Sequence, residues 1–491
     1  MHYNNRAARL RREILSRIAS LRLQNRLAEG IERVPYEMTA PGWETVRCCI
    51  HKDRAILRLR IAARLGFDVG ANDDLDRPLA DYAREALART APPPAGLFLL
   101  QEACNDCVAS PYVVTNACQG CLARPCAANC PKKAIHIVDG RARLDAALCV
   151  GCGICAQACP YKAIIKVPVP CEEACPVSAI SKADDGSRHI DKEACIDCGR
   201  CVRECPFGAV MEPSRLLDAM SALDSGKPVV ALVAPATLAQ FPGGSRRLTS
   251  ALASLGFSSV VEVALGAETT TEAEAEELEE HMRHGRGPLA TSCCPAWTKA
   301  ARTALSPISG MVSTTPSPMV FTARAVRAAQ PQAIQVFISP CLAKRREAEE
   351  TQAVDLTLST EELGAWFVAA GTEIASLPER PFDGPDGSPA ARPASKAARG
   401  FGQTGGVAAA VSACFAAADR PAPRILAVNG LDKARVRELG RWAAVPPQAD
   451  LVEVMACEGG CMAGPCAIAN PRAAVIAADN YAAEAELAYA R

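Results

Sequence analysis

The sequence predicts three successive parts: a helical N-terminal extension over residues 1–95, an α+β cysteine-rich module over 96–215, and an α/β domain over 226–491. Three observations predict this. Sixteen of the 25 Cys fall between residues 100 and 212. After residue 226, apolar runs alternate with Ala-rich helical stretches, the pattern of mostly parallel strands joined by helices. Before residue 90, Leu10, Ile14, Ile18 and Leu21 recur at helical spacing.

Composition bounds the class. A chain of 491 residues has room for several domains. Lys+Arg and Asp+Glu are both 54, a net charge of zero that argues against a global nucleic-acid binder. Hydrophobic residues at 49% and charged residues at 22% exclude wholesale disorder. No run of about 18 apolar residues occurs, so no transmembrane segment is expected. Arg11-Arg12 is followed by Arg17, Arg22 and Arg26 rather than an apolar core, so no secretory signal is expected either. The expected setting is a reducing cytoplasm, where clustered Cys reads as metal ligation or catalysis.

In the extension, residues 1–30 carry seven Arg against two Glu. A basic amphipathic helix there fits a partner or membrane surface, but also, more ordinarily, a helix packed on its own protein with a solvated Arg face. Ala91-Pro92-Pro93-Pro94 then breaks the chain.

In the module, three runs share one design: Cys149-x2-Cys152-x2-Cys155-x3-Cys159-Pro160, Cys195-x2-Cys198-x2-Cys201-x3-Cys205-Pro206, and the looser Cys118-x2-Cys121-x4-Cys126-x3-Cys130-Pro131. This is the bacterial ferredoxin spacing for [4Fe–4S] clusters, in which the fourth Cys serves the neighbouring cluster. Zinc sites instead use separated CxxC pairs, often with His. The swap pairs Cys118, Cys121 and Cys126 with Cys159, and Cys149, Cys152 and Cys155 with Cys130. Cys175, from the half-motif Cys171-x3-Cys175-Pro176, completes Cys195, Cys198 and Cys201. Cys171 and Cys205 then fall to Cys104-x2-Cys107, which closes the count at four cubanes; the alternative for Cys104 and Cys107 is another metal or none. Such a chain of clusters is an electron wire, and a wire needs redox chemistry at its inner end.

In the α/β domain, strands are expected at Pro228–Val233, Val260–Leu265, Pro288–Ala290, Ile334–Ile338, Arg424–Val428 and Leu451–Met455, and an exposed loop over 378–399. Three motifs begin where expected strands end: Thr291-Ser-Cys293-Cys294-Pro295-Ala-Trp297, Ser339-Pro340-Cys341-Leu-Ala-Lys344-Arg-Arg-Glu347, and Glu453-Val-Met455-Ala-Cys457-Glu-Gly-Gly-Cys461. Ligands of open α/β sheets bind outside the carboxyl ends of the strands, so the three loops are expected to converge on a second metal centre.

The three motifs, in this order behind a ferredoxin-like module, resemble those of the [FeFe]-hydrogenases over roughly residues 40–475. Ala296, Ser339, the Cys461-Met-Ala-Gly464-Pro465 ending and Arg47-Cys48-Cys49-Ile50 are similar to the group B branch. The resemblance implies a two-lobed α/β catalytic domain and an H-cluster. That cluster is a [4Fe–4S] cubane on Cys294, Cys341, Cys457 and Cys461, bridged through Cys461 to a diiron unit with CO, cyanide and a dithiolate amine. It implies that Cys293 is the unligated proton-carrying thiol. Lys344 and the Ala234-Pro235-Ala236 turn would meet the cyanides, and Met455 would pack beside the diiron unit. Glu274 and Glu277 match the family's Glu-x2-Glu pair and share a helical face, although residues 268–280 hold seven Glu and a solvated surface is the plain alternative.

The implied reaction is 2H⁺ + 2e⁻ ⇌ H2. Its implied partners are ferredoxin or a similar soluble carrier and dedicated maturation proteins. A hydrogen sensor, a non-catalytic Fe–S scaffold and a plain polyferredoxin are the other readings. Cys48, Cys49, Cys414 and Cys466 are left without a role.

Overall fold

The computed structural model describes residues 4–69, 76–104, 111–183 and 187–485. The N-terminal helix Arg6–Leu23 starts at Asn5, whose side chain accepts from Ala8 N at 2.8 Å. Its apolar stripe, Ile14, Leu15 and Ile18, is buried. The partner is the helix Thr360–Ala370 of the α/β domain. The contact is pinned by Arg11, which donates to Glu361 at 3.1 Å with both side chains nearly inaccessible, and by Arg12 on the same carboxylate at 3.3 Å. This helix therefore packs on its own protein.

The cysteine-rich module is nested. Phe98–Leu99 pairs antiparallel with Val210–Met211 and closes the outer unit. Tyr112–Val114 pairs antiparallel with Ile164–Lys166 and closes an inner lobe. A four-fold repeat organises both units. In Cys130-Pro-Lys-Lys-Ala134, Cys159-Pro-Tyr-Lys-Ala163, Cys175-Pro-Val-Ser-Ala179 and Cys205-Pro-Phe-Gly-Ala209, the alanine N–H reaches back to the cysteine Sγ at 3.2–3.4 Å. The residue before each alanine is left-handed, with φ of 51° at Lys133 and Lys162, 55° at Ser178 and 57° at Gly208. Each turn then enters a short strand.

The α/β domain has seven strands: β1 Val229–Val233, β2 Ser259–Glu262, β3 Leu289–Ala290, β4 Ile334–Ser339, β5 Leu356–Ser359, β6 Ile425–Asn429 and β7 Leu451–Met455. They form two all-parallel sheets, of order β2-β1-β4-β5 and β3-β7-β6. Strands β1 to β5 and β7 are buried along nearly their whole length, as helix-covered parallel strands must be; β6 is an exposed edge. Two lobes and a cleft result.

Three expectations change. The strand expected to reach Leu265 stops at Glu262, because Ala264 opens the 20-residue helix Ala264–Arg283. Strand β5 was not expected; its short Leu-Thr-Leu-Ser run alternates too briefly to stand out. The loop over 378–399 is only partly exposed. Asp383 N donates to Val260 O at 2.8 Å and Val260 N donates to Asp383 Oδ2 at 2.8 Å, so this loop seals the free edge of β2 and buries Phe382, Ala394 and Ser395.

A single apolar cluster runs from Ile14 through Leu97–Ala103 and Ala209–Met211 to β1, β4 and β5, so extension, module and domain share one core. Charges cross it in pairs. Arg64 meets Glu212 at 2.6 Å and Arg345 meets Glu362 at 2.6 Å, all four side chains at most 4% exposed. Burial opposes the Glu362 charge, but Arg345, the Ser214 hydroxyl and the N–H groups of Ser359 and Arg215 outweigh it and hold the carboxyl down at about 2. Removing one partner strands the other charge. Glu361→Ala is expected to destabilise the protein by about 3–5 kcal/mol, measured by chemical unfolding; a loss under about 1 kcal/mol would show the Arg11 contact to be incidental.

Candidate metal centre and proton path

Four strand ends face the cleft. β3 leads into Thr291–Trp297, β4 into Ser339–Lys344, β7 into Cys457–Cys461, and β1 into Ala234–Ala236. The first loop is drawn tight by Trp297, whose buried indole N–H donates to Thr291 O at 3.1 Å. The third needs glycine. Gly460 sits at φ +73°, and a Cβ there would meet Gly402 O at 2.6 Å.

Cys294, Cys341, Cys457 and Cys461, predicted from three separate motifs, line one enclosed cavity of about 80 Å³. Cys293, Lys344, Met455, Ala234 and Ala236 share its wall, and Pro235 heads the short turn between the two alanines. Burial raises the pKa of all four thiols, Cys341 to about 11, and their mutual repulsion adds to this in Cys341, Cys457 and Cys461. Backbone N–H groups of Ala296, Trp297 and Ala456 at Cys294, and of Ala343 and Lys344 at Cys341, act the other way. Four thiolates in one small cavity need a multivalent cationic core between them, and the donor set fits a cubane. Among the described residues no three Cys, His, Asp or Glu side chains close on a single ion. A cubane does not require that, because each thiolate binds its own iron.

Lys344 Nζ lies 2.9 Å from Ser317 Oγ and 2.5 Å from Glu347. Burial works against its charge, but Glu347 overrides this and raises its pKa. Glu274 is fully buried, so it is not part of the solvated glutamate surface. Its Oε1 accepts from Ser292 N at 3.1 Å, one residue from Cys293, whose thiol feels the Glu274 charge. Burial, with Glu277 nearby, raises the Glu274 pKa to about 7. Glu277 accepts from Ser313 Oγ at 2.6 Å, Thr315 Oγ1 at 3.0 Å and Thr314 N at 3.1 Å. Ser313 also faces Glu274, whose Oε2 is otherwise without a partner. Ser313, Thr314 and Thr315 open onto a groove of about 550 Å³. The line Cys293, Glu274, Ser313, Glu277 thus runs from cavity to surface. Ser313 escaped sequence reasoning, since a serine among serines and threonines carries no spacing signal.

In the module, the electrostatic neighbours follow the predicted sets. Cys126 feels Cys121 and Cys159; Cys201 feels Cys195, Cys198 and Cys175 of its own set and also Cys171, which was assigned to the neighbouring one. Cys130 lines one small cavity with Cys149, Cys152 and Cys155. Buried Cys104 ends the turn after Leu100, whose N–H bonds Ala209 O beside Cys205. Cys107 lies outside the described residues. Cys198 and Cys457 share the wall of an open groove of about 720 Å³, where module meets catalytic cleft. Gly199 (φ +69°) lets that junction close, since a Cβ there would sit 2.5 Å from Pro465. Cys48 and Cys49 are exposed, with sulfurs 3.9 Å apart; Cys466 is buried and Cys414 half-buried.

A two-lobed α/β domain with a four-thiol cavity, joined to a ferredoxin-type module, defines an iron–sulfur protein. The chain belongs to the iron-only, or [FeFe], hydrogenase family. Residues 227–465 match the C-terminal domain of the iron-only hydrogenase large subunit; residues 142–165 match a 4Fe-4S binding domain and 165–216 the LdpA Fe-S cluster-binding domain. The periplasmic [Fe] hydrogenase large subunit of Nitratidesulfovibrio vulgaris is 30% identical over 67% of this chain and 86% of its own length. The NADP-reducing hydrogenase subunit HndD of Solidesulfovibrio fructosivorans is 28% identical over 52% of each chain, and iron hydrogenase 1 of Clostridium pasteurianum 28% over 44% of each. The chain thus spans about half the length of these last two relatives. Among solved structures, apo [FeFe]-hydrogenase HydA1 from Chlamydomonas reinhardtii aligns at 21% identity, with a TM-score of 0.45, over 54% of this chain and 88% of that one.

The raised Glu274 pKa has a stability signature. Its folded value of about 7 lies above the ordinary 4.5, so its stabilising contribution is complete below the unfolded value and is lost as pH rises through about 7. Glu274→Gln should flatten the fall in melting temperature between about pH 5 and 8. A wild-type slope in the variant would place the carboxylate in solvent.

Proposed function

We propose that this chain is a hydrogenase catalysing 2H⁺ + 2e⁻ ⇌ H2. One observation carries the reading: Cys294, Cys341, Cys457 and Cys461 from three loops line one buried cavity with Cys293 and Lys344. These four cysteines would hold the H-cluster, with Cys461 the bridge to its diiron unit. When bound, that group supplies the open, redox-active iron position at which hydrogen is made or split.

The protein's part is to place charge and move protons. Lys344, steadied by Ser317 and Glu347, presents a cation to an anionic ligand such as cyanide. Met455 and the turn at Pro235 and Ala236 wall the cavity with apolar surface and keep bulk water out. The Cys293 thiol exchanges a proton with the Glu274 carboxyl. A carboxyl near pH 7 takes and gives a proton with little bias, which suits a two-way relay. Ser313 then hands the proton to Glu277 at the groove.

Electrons would pass between a soluble carrier such as ferredoxin and the catalytic cysteines along the cubanes, through the inner lobe and the Cys175/195/198/201 cluster, whose Cys198 adjoins Cys457. The division into extension, cluster module (96–215) and catalytic domain (226–491) follows this route. Ala296, Ser339 and the Gly464-Pro465-Cys466 ending support the group B branch. Among the described residues no helix is long and apolar enough to cross a membrane. The clustering of cysteines at iron–sulfur ligand spacing supports a reducing cytoplasm.

Protein matured with the family's assembly proteins should show CO and cyanide infrared bands, and their absence would leave only an electron carrier. Cys293→Ala should keep those bands yet lose turnover by about 10²-fold or more; wild-type turnover would remove Cys293 from the relay. Protein from a host without maturation proteins should contain about twenty irons, five cubanes of four. About sixteen would remove the cluster assigned to Cys104, Cys107, Cys171 and Cys205.

A further inference from the structure

The inner lobe, residues 111–167, has a surface unlike the rest of the molecule. The whole chain is neutral, but this segment carries seven Lys and Arg against two Asp. Arg124, Lys132, Lys133, Arg141, Arg143 and Lys162 are all exposed, and none takes part in an ion pair among the described residues; only Lys166 is paired, with Glu173 at 3.4 Å. Many arginines elsewhere are spent on carboxylates or carbonyls. Arg200 and Arg203, beside the open groove at Cys198, donate to Leu431 O and Ala463 O and hold the module to the domain.

The same lobe holds eight of the 18 large apolar side chains exposed among the described residues, far beyond its share of the length. Leu122 is 96% exposed between Cys121 and Cys126, and Val150, Ile154 and Leu148 surround Cys149 and Cys152. Cys152 is itself exposed. Apolar side chains around a shallow cluster, ringed by unpaired cations, make a surface that excludes water at its centre and attracts an anionic partner at its rim.

We propose that this lobe is the docking surface for an acidic one-electron carrier protein, and that electrons enter there rather than at the groove beside Cys198 and Cys457. The inference rests on the hydrogenase reading for the destination of the electrons but not for the docking. Each encounter oxidises one reduced carrier and reduces one cubane of the lobe; two encounters, with two protons, account for one H2. An anionic membrane or a nucleic acid would also meet a basic surface. Neither would call for apolar side chains gathered round the thiols of a redox cluster.

The test uses the full cluster-loaded protein and follows bleaching of cluster absorbance after rapid mixing with a reduced acidic two-cubane ferredoxin or with reduced methyl viologen. Arg143→Glu changes an exposed strand residue outside the cysteine turns, and Arg143→Glu/Lys166→Glu is the second variant, each checked for iron content. The expected result at low salt is a reduction rate by ferredoxin that falls about tenfold or more. Its steep salt dependence should flatten, and the viologen rate should stay unchanged. Unchanged ferredoxin rates and salt slopes in both variants would overturn the proposal. So would charge-sensitive binding to phosphatidylglycerol vesicles or DNA with no effect on the ferredoxin rate. Hydrogen evolution from viologen is read separately: its absence sinks the hydrogenase reading and leaves the docking result standing.

Discussion

Four sulfurs that repel one another share one largely apolar cavity, and the rest of the catalytic domain is arranged around that fact. Left to themselves the thiols stay protonated, because desolvation and mutual repulsion both oppose the anion. A cationic inorganic core inverts the balance and makes the sulfurs its ligands. The protein prepares for that core with fixed dipoles rather than counter-ions: the N–H groups of Ala296, Trp297 and Ala456 turn toward Cys294, and those of Ala343 and Lys344 toward Cys341. Lys344 is the full cation in the wall, and Glu347 keeps it charged there. The same device recurs in the module, where each Cys-Pro turn directs an alanine N–H at its sulfur.

Such a cavity needs rigid walls from distant parts of the chain, and the two-sheet architecture supplies them. Parallel strands place their carboxyl ends on one side, so loops after β1 and β4 meet loops after β3 and β7 across the cleft. The buried pairs Arg64–Glu212, Arg345–Glu362 and Arg11–Glu361 lie behind this arrangement, where module, domain and N-terminal helix share a core. Buried ion pairs add little net stability but penalise wrong assembly strongly, because any misplacement leaves a charge alone.

Much of this was readable in the residues because the chemistry is local. Cys-x2-Cys-x2-Cys-x3-Cys-Pro fixes three corners of a cubane within seven residues, and the three catalytic motifs each carry a cysteine at a strand end. Six of the seven catalytic strands announced themselves as apolar runs. What stayed hidden depends on distant partners. Nothing in Ser313 marks it as the hydroxyl between two glutamates, since Glu277 lies 36 residues away. Asp383 looks like any loop aspartate until it meets the open edge of β2. Glu274 is one of seven acidic residues in its stretch, and only the packing of its helix separates buried Glu268 and Glu274 from the more exposed ones.

The N-terminal helix finds its place only against Glu361, 350 residues further along. On the ribosome this helix is made well before the helix that covers it, a delay of roughly tens of seconds at ordinary elongation rates. During that interval the apolar stripe of Ile14, Leu15 and Ile18 has the neighbouring helices Ile50–Arg64 and Leu216–Leu223 to lean on but lacks its main cover, Thr360–Ala370. The order of synthesis thus leaves extension and catalytic domain unlatched until Glu361 arrives to receive Arg11, and the helix made early becomes the bolt that shuts the assembly late.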